Sequence, residues 1–149
     1  MSQDHISIFE SSTCEFTEQE QRNLEVIRGY RAATVSERAP FMHPDFERIR
    51  AGFKNIGELW GGGGMTDESI PDRENILLEL TAKGDRVWGI WRVVGTHGGE
   101  LYGIPATNRK VDAIEVGLWR LEDGLIREAW YFGDDLGLIR QLGVEIPSE

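Results

Sequence analysis

The sequence predicts an α+β domain, with helices packed on one face of a curved, largely antiparallel sheet. Three observations predict it. Helical spacing is confined to the beginning and the end of the chain, strand-like runs fill 75–133, and glycine-bearing turns separate those runs. The chain has 149 residues, the size of one domain, and its 40% hydrophobic content supports one sizeable core.

The elements follow in order. Residues 1–16 carry no period and read as a loose N-terminal arm, leaving 17–149 as a single domain. Thr17 and Glu20 form a capping box, and Leu24, Ile27, Tyr30 and Arg31 follow at helical spacing, so a helix runs to about Val35. Tyr30 lies on its apolar face, as a core tyrosine with a bonded hydroxyl or as a pocket wall. Ser36–Ala39 begins a short turn or helix that ends near His43-Pro44-Asp45. Weak alternation over Phe46–Phe53 marks an edge strand. Trp60 precedes four consecutive glycines. No Lys-Ser or Lys-Thr follows them, so they are no phosphate loop. Such a run reads as a mobile loop or a lid over a pocket.

Asn75–Lys83 and Arg86–Gly95 form two strands around Gly84-Asp85. Gly98-Gly99 breaks the pattern, and Pro105–Asn108 is a turn cluster. Lys110–Arg120 and Leu125–Gly133 form a last hairpin. Asp134 opens a short closing helix that Gly143 stops.

The hairpin carries the chemistry. A three-residue loop, Glu122-Asp123-Gly124, with Gly124 left-handed, sets Leu121 against Leu125 and Glu115 against Tyr131. An acid and a phenol roughly 5 Å apart on one face can exchange protons. A two-residue Asp-Gly turn would instead oppose Glu115 to Phe132 and split the pair between faces. The ordinary reading of the two residues is an exposed glutamate beside a surface tyrosine. By alternation one face holds Ala113, Glu115, Gly117, Trp119, Ala129, Tyr131 and Gly133. Small residues beside a carboxylate leave room for a ligand. The other face, Ile114, Val116, Leu118, Trp130 and Phe132 with Glu128, is too apolar to face water. One face is therefore expected to hold a pocket and the other a dimer contact.

Composition excludes several classes. A net charge of −10 and a pI near 4.8 repel phosphate backbones and anionic membrane surfaces. The expectation is no nucleic acid and no membrane. Cys14 is the single cysteine, which rules out an intramolecular disulfide and fits a reducing cytoplasm. His5, His43 and His97 have no metal-ligand spacing, so no metal and no cofactor are expected. His97, after Gly95-Thr96, is a candidate acid–base group or a hydrogen-bonded structural histidine. Arg48 can bind an anion or stand as a surface arginine.

A set of motifs adds a resemblance. Ile70-Pro71-Asp72, Gly84-Asp85-Arg86-Val87, Gly95–Gly99, Gly103–Arg109, Arg120–Glu128 and Leu136–Gly143, with His43-Pro44-Asp45, resemble the SnoaL-like polyketide cyclases over about residues 20–143. The resemblance implies the nuclear-transport-factor-two-like cone. In that fold, shared with ketosteroid isomerase and limonene epoxide hydrolase, a curved mixed or antiparallel sheet and N-terminal helices wrap a deep apolar pocket, and dimers are common. It implies the three-residue hairpin register. It also implies pocket positions at Tyr30, Arg48, Glu115, Gly117 and Tyr131. The family's cyclases carry a catalytic aspartate at the position of Tyr131. A glutamine and a histidine assist at Glu115 and Gly117, and an asparagine stands at Arg48. The scaffold is kept and the catalytic positions differ.

These readings give a cofactor-independent acid–base enzyme that isomerises, cyclises or dehydrates an apolar carbonyl compound of polyketide or terpenoid type. Glu115 is its general base, and Tyr131 and Tyr30 polarise an oxygen. Trp119, Trp91, Trp60, Gly117, Arg48 and His97 line the ligand site. A homodimer is expected. The alternative is a non-catalytic small-molecule-binding module or a dimeric scaffold with the same cone.

Overall fold

The computed structural model describes residues 15–50 and 64–145. Helix α1 (Glu18–Ala32) is followed by two short 3-10 turns, Val35–Glu37 and Ala39–Phe41. Strands β1 (Met42–Arg50), β2 (Glu74–Lys83), β3 (Arg86–Thr96), β4 (Lys110–Glu122) and β5 (Leu125–Gly133) come next, and α2 (Asp135–Leu142) closes the chain. The strands form one sheet in the order β1-β5-β4-β3-β2. Four strands run as an antiparallel meander, and β1 joins its β5 edge in parallel. The sheet is therefore mixed, as the cone requires.

The capping box starts α1 as expected: Glu20 N–H donates to Thr17 Oγ1 at 3.2 Å and Thr17 N–H donates to Glu20 Oε2 at 2.9 Å. The same carboxylate also accepts from Gly84 N–H at 2.8 Å, while Asn23 Nδ2 donates to Gly84 O at 3.1 Å. The β2–β3 turn is thus bolted to the first half of α1, which fixes the helix over the sheet. Leu24, Ile27, Tyr30 and Arg31 are buried along its inner stripe. The helix ends at Ala32, short of Val35, because Ala33 turns to extended backbone. Strand β1 starts at Met42, so the expected turn at His43-Pro44-Asp45 is strand. Pro44 is tolerated there because β1 is an edge. Phe16 packs against the core, so the end of the expected arm is not loose. The rest of that arm, Trp60 and the first three glycines after it lie outside the described residues.

The β4–β5 register matches neither of the two expected. Asp123 (φ 51°) and Gly124 (φ 77°) are both left-handed and make a two-residue turn that pairs Glu122 with Leu125. Arg127 is then an extra residue on β5, a bulge between the pairs Leu121–Ile126 and Arg120–Glu128. Turn and bulge together shift β5 so that Tyr131 opposes Gly117 and Glu115 opposes Gly133. The bulge also returns Tyr131 to the face of Glu115, which a two-residue turn alone would not do.

The inner face buries Val87, Trp91, Val111, Trp119, Ile126 and Tyr131 under α1, with Leu138, Ile139 and Leu142 of α2 closing one end. The outer face is as apolar as the alternation predicts. Trp88, Leu118 and Trp130 align across three strands, as do Ile90, Val116 and Phe132. Trp88, Ile114 and Phe132 are exposed.

Candidate active site

The centre of the inner face is filled by aromatic rings. Trp91 and Trp119 stack with centroids 5.4 Å apart, and Tyr131 meets both edge-on at 6.3 and 6.2 Å. Gly117 permits this. A Cβ there would lie 2.7 Å from the Trp119 ring and 2.8 Å from the Trp91 ring. The volume expected beside Gly117 for a ligand is therefore occupied by the two indoles, and Gly117, Trp91 and Trp119 act first as core.

The phenols form a chain. The hydroxyls of Tyr30 and Tyr131 are 2.8 Å apart, and Trp119 Nε1 donates to Tyr131 Oη at 3.3 Å. Two hydroxyls sharing one bond leave one O–H proton for a further acceptor. Burial, with Tyr30 alongside, pushes the Tyr131 phenol well above the ordinary tyrosine range. Tyr131 at neutral pH is a hydrogen-bond donor and not a base. The guanidinium of Arg38 lies 4.9 Å from the Tyr30 ring centre, and that of Arg48 lies 4.8 Å from the Tyr131 ring centre. Arg48 is exposed and reaches the site only from its rim.

Glu115 shares the face but not the expected partner. Its Oε2 accepts from Trp91 Nε1 at 3.0 Å and lies 4.0 Å from Arg31 Nη2. Its side chain is 17% exposed, so it points into the fold and not out to water. An indole donor and a guanidinium surround the carboxylate, where an apolar setting was expected. Glu115 borders a hollow shared with Met65, Ile70, Tyr102, Gly133 and Leu138. The hollow measures about 390 Å³ with its open mouth, and only about 20 Å³ has room for the centre of a water molecule.

His97 is not among the residues around that hollow. It is fully buried in the β3–β4 connection, where Thr107 Oγ1 lies 2.9 Å from Nδ1 and Thr107 N–H donates to Nδ1 at 3.3 Å. Its backbone pairs with Arg109 and Asn108. Burial pushes its pKa down, so it is a neutral structural residue. Among the described residues no group of three or more His, Cys, Asp or Glu could hold a metal ion. No described helix is long and apolar enough to cross a membrane.

Several residues of the site escaped the sequence. Arg31, Arg73 and Asn75 form a polar knot beside Trp91: Arg31 Nη2 and Arg73 Nε donate to the same Asn75 Oδ1 at 3.1 and 3.0 Å. Arg31 stacks on the Trp91 ring at 3.6 Å. A signal for Arg31 existed, since a cation on the apolar stripe of a helix needs a buried partner. Arg73 and Asn75 carry no such local signal.

The sequence profile of the SnoaL-like polyketide cyclases matches residues 64–142, which covers β2 through α2. The chain belongs to the SnoaL-like polyketide cyclase family. Over 131 residues it is 27% identical to the nogalonic acid methyl ester cyclase of Streptomyces nogalater, covering 83% of this chain and 96% of that one. Over 71 residues it is 37% identical to an aklanonic acid methyl ester cyclase of Streptomyces peucetius, about half of each chain. A SnoaL-like protein of known crystal structure from Jannaschia Sp. CCS1 superposes with a TM-score of 0.72 at 21% identity, over 89% of this chain and 99% of that one. That likeness fixes the fold as the nuclear-transport-factor-two-like cone. A cofactor-independent cyclase-type enzyme is the general activity the SnoaL-like relatives support.

Proposed function

We propose that this SnoaL-like chain is a cofactor-independent acid–base enzyme that isomerises, cyclises or dehydrates an apolar, carbonyl-bearing polyketide-like molecule. The observation that carries the reading is the buried Tyr30–Tyr131 hydroxyl pair on the face that also bears Glu115. In this reading Tyr131 stands where the family's cyclases carry aspartate. The spare phenolic proton binds a carbonyl oxygen and stabilises the enolate that forms, while Glu115 removes the α-proton. Trp119, donating into Tyr131, strengthens that proton as a donor. Arg48 stands at the rim over the Tyr131 ring, and Glu115 leaves its Arg31 contact when substrate enters.

The test uses the methyl esters of nogalonic and aklanonic acid, the compounds for which the relatives are named. Wild type is expected to convert at least one of them. Glu115→Gln should lower kcat by about two orders of magnitude or more while the ligand still quenches tryptophan fluorescence. Unchanged turnover in Glu115→Gln removes the base from the scheme.

The second reading is a binding module without catalysis. The stacked indoles over Gly117 favour it, because they leave little room beside Glu115. Saturable binding of both esters without conversion of either supports it. In either reading the apolar outer face supports a homodimer, and the lone Cys14 supports a cytoplasmic setting.

A further inference from the structure

Glu115 borders the hollow beside α2. A second hollow lies between α1 and β2, bordered by Ile27, Arg31, Asn75, Leu77, Leu80 and Trp91. It measures about 590 Å³ with its mouth, and about 240 Å³ of that has room for the centre of a water molecule. It is the roomier of the two, and no part of the chemistry above uses it.

Its polar wall is unusual. Arg31 is 6% exposed, and its Nε has no hydrogen-bond partner. Its Nη2 shares the single oxygen Asn75 Oδ1 with Arg73, so two guanidinium groups face each other across one neutral amide. The nearby carboxylate, Glu115, stands 4.0 Å from Arg31, looser than a direct ion-pair hydrogen bond. Burial pulls the pKa of Arg31 down to about 9, helped by repulsion from Arg38 and Arg73 and only partly offset by Glu115. Arginine keeps its proton in proteins. The unpartnered Nε and the single neutral acceptor shared with Arg73 leave this buried positive charge short of acceptors. The arrangement occurs in a chain whose net charge is −10.

An occupant of this hollow lies against Arg31, one of its border residues. A neutral apolar molecule would deepen the uncompensated burial of the cation, whereas an anion would relieve it. Ile27, Leu77 and Leu80 supply apolar walls, and Trp91 supplies a ring face. We propose that the hollow between α1 and β2 is a second ligand site that takes a small apolar carboxylic acid, its carboxylate on Arg31 with Arg73 as the supporting charge. Its occupant also touches Trp91, whose indole N–H holds Glu115. Binding there bears directly on the orientation of that carboxylate.

The probes are 2-naphthoate and its uncharged methyl ester, titrated against the full chain with tryptophan fluorescence and calorimetry. The acid is expected to bind at least about tenfold tighter than the ester, the scale of one charge-assisted hydrogen bond. Arg73→Gln should reduce that ratio. Asn75→Asp, which places a carboxylate between the two guanidinium groups, should abolish it and raise Tm. Leu77→Trp should fill the hollow and block the acid. Folding of each variant is checked by circular dichroism. The proposal is overturned if the ester binds as tightly as the acid, if Leu77→Trp leaves acid binding intact, or if the acid fails to bind at millimolar concentration. Turnover is not read in these titrations, so failure of the acid–base scheme leaves their outcome unaffected.

Discussion

Tyr30 and Tyr131 join α1 to β5 through a single hydrogen bond between hydroxyls 2.8 Å apart, across 101 residues of sequence. Both side chains are buried, so neither hydroxyl can recover a lost partner from bulk water. Tyr30→Phe is expected to cost about 1 kcal/mol in urea denaturation, since Tyr131 keeps its bond from Trp119. Tyr131→Phe strands two donors and should cost about 1–3 kcal/mol. The double variant should cost less than the two added together, because one bond is lost twice in the sum. Strict additivity would show that the hydroxyls do not interact in solution.

The same phenol sets an alkaline limit. Its pKa is raised in the folded state by burial and by Tyr30, so the unfolded chain releases the proton first. The stability it contributes is fully present below the unfolded tyrosine value, about 10, and is lost as pH climbs from there towards the folded value. Tm is therefore expected to fall as pH rises above about 10, and Tyr131→Phe should flatten that fall. Phenolate absorbance near 295 nm, followed at constant temperature, should show one tyrosine ionising only with unfolding. Full ionisation of all three tyrosines in the native state contradicts this account.

Gly117 is the glycine on which the aromatic stack rests. Gly117→Ala puts a Cβ within 2.8 Å of both indoles, which are fully buried and cannot swing aside. A loss of about 1–3 kcal/mol is expected, with a change in tryptophan emission as the stack shifts. Gly133→Ala is the control. Its Cβ would meet Glu115 Cγ at 3.5 Å, an ordinary contact, and should be nearly neutral. Equal effects at the two positions would mean the stack is looser than its geometry states.

Much of this architecture was legible in the chain. The capping box at Thr17 and Glu20, the Gly84-Asp85 turn and the stop at Gly143 are local signals, and each is found where it was read. The faces of β4 and β5 were also right, because alternation survives any shift by two residues. The register was not legible. It depends on a bulge at Arg127 that no composition rule marks, and it moves Tyr131 from Glu115 to Gly117. The filling of the space beside Gly117 was hidden for a similar reason. A small residue shows that volume exists, while only the fold shows that Trp91 and Trp119 claim it. His97 illustrates the converse. Its chemistry suggested a site, but its loop consumes it.

The outer face gives the last prediction. Trp88, Leu118 and Trp130 form one row across β3, β4 and β5, and Ile90, Val116 and Phe132 form the next. Charged pairs bound the patch: Arg120 with Glu122 and Glu128 at one end, and Arg92 with Asp112 at the other. An apolar centre with a charged rim is the anatomy of an interface. A sheet face can cover itself in a two-fold pair, because each row meets its own copy in reverse order. Trp88→Glu places a carboxylate in the middle of that contact, at a side chain 46% exposed in the single chain. Sedimentation should give a dimer for the wild type and a monomer for Trp88→Glu, with circular dichroism unchanged. A wild type that sediments as a monomer at every concentration would leave the apolar rows facing water, and the dimer would have to be abandoned.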